Sequence, residues 1–184
     1  MLKKCNSICS WILILCLLGH LFTMSYSMLT GWYDYTICKA LAKSTAAITA
    51  IHVLLSLILL FFFHDGGQLT KYPKQNIKTI LQRASGIVII CLLHKHVKDF
   101  GFIVTGATLS DLDKVLLLTS EILFFGAIFL HLATSFSRSL ITMGLISTDE
   151  MEGRVNCVIA IACIILMALT TFALTRYVIL WAGY

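Results

Sequence analysis

Four histidines, His20, His52, His96 and His131, each lie inside a different long apolar segment of this chain. An imidazole in hydrocarbon must hide two polar nitrogens, and ligating a metal through one while hydrogen-bonding through the other does so. Two imidazoles from facing helices at one height make a bis-histidine haem site. One such histidine alone serves helix packing or the membrane interface as readily as ligation. Four of them in four segments predict two haems.

Holding those rings requires helices, and the composition supplies them. Hydrophobic residues make up 59% of the 184, charged residues 12%, and there is a single proline. A soluble domain has roughly 45–50% apolar and about 25% charged residues. The chain therefore reads as a membrane protein. A helical span takes about 20 residues, and the charge-poor runs fall at roughly 8–26, 40–63, 80–97, 115–141 and 155–181. The alternation of a membrane barrel strand is absent, and backbone groups in lipid need internal partners, so the spans are helices. The expected fold is all-α: one membrane domain over residues 1–184, a bundle of five transmembrane helices, four of which carry a ligand histidine.

The net charge of +5 belongs to loops and not to a nucleic-acid face. With the N-terminus inside, the inner side collects Lys3, Lys4, Lys71, Lys74, Lys78, Arg83, Arg138 and Arg154. The outer side then holds Lys39, Lys43, Lys95, Lys98, Lys114 and Arg176, a shallow bias in the expected sense. Lys3 and Lys4 ahead of an apolar run also fit the opening of a signal peptide, but His20 within that run argues against its removal. A lipoprotein site at Cys16 is disfavoured by Leu15, where a small residue is wanted. The seven cysteines form no CxxC pair and mostly lie in the spans, where Cys acts as a small apolar residue. The longest polar connection, 64–79, has Gly66, Gly67 and Pro73 as turn residues.

This orientation sorts the histidines by depth. At about 1.5 Å per residue, His20 and His96 lie roughly 20 Å or more from the inner ends of their helices, and His52 and His131 roughly 15–18 Å from theirs, if the fourth helix continues past Arg138. The result is an outer pair and an inner pair. Small residues flank the rings, where a flat porphyrin needs close backbone approach: Gly19 beside His20, Thr49 and Ser56 at helical spacing from His52, Ser85 and Gly86 about three turns below His96, and Ser135 one turn after His131. The same residues also let membrane helices pack closely. His64, beside Asp65, and His94, two residues before His96 on another face, read as interfacial.

The segment Leu81-Gln82-Arg83-Ala84-Ser85-Gly86, followed by an apolar run to His96, resembles the third helix of the dihaem cytochrome b anchors of succinate dehydrogenases and fumarate reductases. The stretch from His131 through Arg138 to Gly144 resembles that family's fourth helix, and His52 and His20 fall where its second-helix and first-helix ligands are expected. The resemblance implies His20 and His96 as axial ligands of a distal, outer haem b, and His52 and His131 as ligands of the haem b nearer the iron–sulfur subunit. It implies electron transfer between the iron–sulfur subunit and a membrane quinone, with menaquinone the expected type. A flavoprotein would complete the complex, in a bacterial cytoplasmic membrane with the N-terminus cytoplasmic and the C-terminus outside. Two departures stand out. The connection between the first two spans is short, and Phe129 occupies the place where some family fumarate reductases carry a proton-returning glutamate.

On this resemblance Arg83 and Arg138, near the inner ends of ligand helices, are candidate partners of haem propionates, since guanidinium suits bidentate pairing. Both also fit as interface arginines. Quinone reduction takes up protons as well as electrons, and Glu121, Asp99 and His94, with Lys95, are the titratable groups expected on the outer side. Glu121 would be costly in lipid without a purpose, although a solvated carboxylate at the start of the helix is the alternative. Asp149, Glu150, Glu152 and Arg154 read as an inner loop facing a partner subunit. Two other classes stay open: a dihaem cytochrome b of a membrane hydrogenase or formate dehydrogenase, and a haem-free transporter or assembly factor.

Overall fold

The computed structural model describes residues 1–62, 73–105 and 109–180. His64 and Asp65 lie outside these. Five helices follow one another: α1 (Leu2–Thr30), α2 (Tyr35–Phe62), α3 (Pro73–Thr105), α4 (Asp111–Met143) and α5 (Asp149–Leu180). Each contains a stretch long and apolar enough to cross a membrane, as expected of an integral multi-pass membrane protein. Every helix is longer than its expected span. Hydropathy marks only the part in hydrocarbon, whereas the hydrogen-bond ladder runs on into the polar flanks. Thus α1 takes in Lys3 and Lys4, α4 continues past Arg138, and α3 opens at Pro73. The proline expected as a turn residue is instead the first residue of α3, where its missing N–H costs nothing.

Short-range chemistry fixes the ends. Gly31 closes α1 in the left-handed region at φ 74°, donating its N–H to the Ser27 carbonyl. Asp34 caps α2 by accepting the Ile37 N–H at 3.0 Å. Ser110 accepts the Asp113 N–H and donates its hydroxyl to the Asp113 carboxylate at the start of α4. At the other end of α4, the N–H groups of Gly144 and Leu145 return to the carbonyls of Ile141 and Leu140, and Gly144 takes φ 79°. Thr148 then caps α5 through the Met151 N–H.

The chain forms two compact units, Met1–Pro73 with Ser137–Gly153 and Lys74–Phe136 with Arg154–Tyr184. In the first, α1 and α2 make an antiparallel hairpin. Its seam takes small residues: Ser27 and Cys38 are buried with Ser27 Oγ 4.0 Å from Cys38 Sγ, and Cys9 Sγ lies 3.9 Å from the Ile48 carbonyl. Without a hydrophobic drive between helices in lipid, close backbone approach holds such a pair together. The hydroxyls of Thr23, Ser27, Thr45 and Thr49 each donate to the carbonyl four residues earlier, so they bring no unsatisfied donor into the seam. At the hairpin turn, Tyr26 and Trp32 meet edge to face at 6.0 Å, and the Lys39 ammonium donates to the Tyr35 hydroxyl. These exposed aromatics form the belt that marks a membrane–water interface.

Gly19 sits in the same seam. A methyl built there would lie 3.3 Å from Leu41 Cδ2, so the hydrogen at Gly19 makes room for the α2 leucine. Gly19→Ala is expected to be accommodated by a small shift of Leu41, whereas Gly19→Trp should wedge the hairpin open. Reduced thermal stability of the purified tryptophan variant, with the alanine variant near wild type, would check this.

In the second unit α3 and α4 run antiparallel, with Ser85 and Gly86 level with His131 and with His96 level with Glu121. α5 lies along α4, where Met167 approaches Gly126. A largely apolar groove of about 740 Å³ between these two is lined by Phe129, Ala133, Cys163, Met167, Thr171 and Phe172 among others. All seven cysteines of the chain are free thiols.

Candidate functional site

His131 is the best-held of the four rings. It projects from α4 onto α3, where its Nδ1 lies 2.9 Å from the Gln82 carbonyl oxygen and 3.3 Å from Ser85 Oγ. A carbonyl only accepts, so Nδ1 carries the proton and the lone pair of the neutral ring sits on Nε2. The Cε1–Nδ1 edge of the ring meets α3 at Gly86, whose missing side chain leaves 3.5 Å between a built Cβ and His131 Cε1. Ser85 and Gly86, expected to serve His96 three turns further along their own helix, serve His131 instead, because the antiparallel register of α3 and α4 decides which ring they meet.

His96, eleven residues beyond Ser85 on α3, is held by an acid. Its Nδ1 lies 2.7 Å from Glu121 Oε2, and its ring stacks on Phe124 at 4.7 Å with Phe125 edge-on. Glu121 is 4% exposed, so it is not a solvated carboxylate at the start of a helix. Next to it, Ser120 donates to Asp99, and Lys95 pairs with Asp99 at 2.5 Å. Of the groups expected on the quinone side, Glu121, Asp99 and Lys95 therefore gather around His96, while His94 is exposed on α3. None of Glu121, Asp99 or His94 lines the α4–α5 groove.

In the first unit His52 of α2 faces Ser10 of α1. The Ser10 hydroxyl donates to the Asn6 carbonyl at 2.8 Å, so its oxygen accepts from His52 Nδ1 at 3.3 Å. Again the lone pair falls on Nε2. His20 is half-buried on α1, ten residues beyond Ser10.

The two hairpins thus share one spacing. His20 stands about 15 Å of helix above the Ser10–His52 level, and His96 about 16 Å above the Ser85–His131 level. Arg83, adjacent to Gln82, is exposed at the end of α3 nearer His131, and Arg138 is half-buried two turns after His131 on α4. Ser137, next to it, is buried and donates to the Glu152 carboxylate at 3.5 Å, so Glu152 is 9% exposed against α4 within the first unit and is not a freely solvated loop acid.

Ser10, the Gln82 carbonyl and Phe124 were not recognised from sequence. Ser10 and Gln82 lie 42 and 49 residues from the rings they hold; nothing local marks Ser10, and the motif that contains Gln82 does not point to His131. Among the described residues no three or more His, Cys, Asp or Glu side chains converge as a bare metal ion would need. A haem asks for only two, because the macrocycle supplies the remaining ligands. No protein-family model matches the chain, and no curated protein or solved structure matches it either.

Proposed function

We propose that the chain is the membrane-anchor, dihaem cytochrome b subunit of a succinate dehydrogenase or fumarate reductase, serving electron transfer between a soluble iron–sulfur subunit and a membrane quinone. His20 and His96 would hold the outer haem b, and His52 and His131 the inner one. The observation that carries this is that at His52, His96 and His131 an oxygen lies within hydrogen-bond reach of Nδ1, the arrangement that would turn Nε2 to a metal. The equal rise between the two histidine levels in each hairpin also suits a pair of stacked cofactor sites.

When bound, haem b supplies one-electron chemistry between ferric and ferrous iron. The chain's own part is to orient the imidazoles, exclude water and balance charge. Arg83 and Arg138 would pair with carboxylate groups of the macrocycle. Asp99 and Glu121, with the more exposed His94, would offer proton-exchanging groups to a quinone of the menaquinone type. In this assignment the protein sits in a bacterial cytoplasmic membrane with its N-terminus cytoplasmic and its C-terminus outside. A flavoprotein and an iron–sulfur subunit are its partners.

A pyridine haemochrome assay on the complex isolated from native membrane, with subunits identified by mass, tests this. About two haems b per chain are expected, together with a flavoprotein and an iron–sulfur subunit. A spectrum without haem would overturn the assignment and point to a transporter or assembly factor. A hydrogenase or formate dehydrogenase partner would move the chain to that class.

A further inference from the structure

We infer that Glu121 is a positioning residue for His96, fixing the ring through Nδ1 and lending it negative charge, so that it sets the potential of the iron on His96; this rests on the haem assignment above. A carboxylate inside a membrane-spanning helix persists only if something compensates it. The compensation here is specific. His96 Nδ1–H donates to Glu121 Oε2 at 2.7 Å, at the short end for a bond to a charged acceptor. Lys95, next to His96 in the chain, is engaged with Asp99, and the Ser120 hydroxyl also approaches Asp99.

The ring plane is set from the same helix. Phe124, three residues after Glu121, stacks on His96 with an interplanar angle of 27°, and Phe125 closes the edge. Glu121 and Phe124 are neighbours on one face of α4, so a single turn supplies both the acceptor and the wall. The acceptors at His52 and His131 are neutral by comparison, a hydroxyl and a carbonyl. An anion hydrogen-bonded to the far nitrogen makes Nε2 a stronger donor. The extra negative charge favours the higher oxidation state of the bound iron, which lowers its potential.

The test is a redox titration of the purified complex followed by visible absorbance, in wild type, Glu121→Gln and Glu121→Asp. Glutamine keeps an acceptor at the same place but removes the charge. One haem midpoint should rise by the equivalent of a tenfold change in the ferric–ferrous ratio, about 59 mV for a one-electron couple, with the other unmoved. Glu121→Asp, which retains the carboxylate, should return most of the shift. Loss of that one haem in the glutamine variant, restored in the aspartate variant, would support the same role. Two bound haems with both midpoints unchanged in Glu121→Gln would overturn it. A wild-type complex without a b-type spectrum is a separate result, which removes the haem assignment and this role together.

Discussion

On the proposed pairing, alanine at His52 and alanine at His131 are each expected to remove the same haem, and combining them should remove nothing further. Each single variant should fall to about half the wild-type haem content, since a haem held by two imidazoles loses an axial ligand in either case. The His52→Ala/His131→Ala double variant should stay at about half. His52→Ala combined with His96→Ala should have no haem, because it disables one ligand of each site. His20→Ala and His96→Ala should behave toward each other as His52→Ala and His131→Ala do. The combinations read pairing directly, as neighbours in one site are non-additive and members of different sites are additive. Haem-to-protein ratios of purified variants are the measurement. A His52→Ala/His131→Ala variant devoid of haem, or single variants with full content, would refute the pairing.

On the proposed assignment, Gly86→Leu is expected to abolish the haem that His131 would hold, without unfolding α3. A Cβ at Gly86 would lie 3.5 Å from His131 Cε1 and 3.6 Å from Nδ1, ordinary contact that alanine can make. The carbons beyond Cβ in leucine have no room unless the ring swings away from the Gln82 carbonyl. The ring would then lose both its acceptor and its orientation. Gly86→Ala should keep full haem and gain slightly in stability, since alanine is favoured over glycine in a helix by roughly 0.5–1 kcal/mol. Far-UV circular dichroism would show the helices intact in both variants, and haem content would separate them. A leucine variant with wild-type haem would show that the contact of His131 with Gly86 does not govern the proposed ligation.

The five helices were legible because about 20 apolar residues in a row leave few alternatives. Their ends were less so, although Gly31, Asp34, Ser110 and Gly144 carry cap chemistry that propensity rules recognise. Within each hairpin the two histidine levels lie about 15–16 Å of helix apart, a wider gap than the few ångströms that counting rise from the expected inner ends gave. What sequence spacing could not supply was register between helices. Ser85 and Gly86 lie on the helix of His96, and counting turns assigned them to it; packing gives them to His131. Glu121 stood out as costly in lipid, but its partner is 25 residues away across a connection whose length does not fix alignment. Ser10 gave no signal at all, since a serine in an apolar helix is ordinary until its hydroxyl meets a ring.

The tyrosine and tryptophan cluster at the α1–α2 turn has a mechanical consequence. Tyr26, Trp32 and Tyr35 moor that end of the hairpin at the headgroup level, whereas among the described residues the opposite end carries Lys3 and Lys4, whose long stems adapt to depth. A thinner or thicker bilayer is therefore accommodated by tilt about the moored end, and the displacement grows with distance from it. His20 lies nearer the pivot and His52 near the free end, so lipid thickness acts on the surroundings of His52 first.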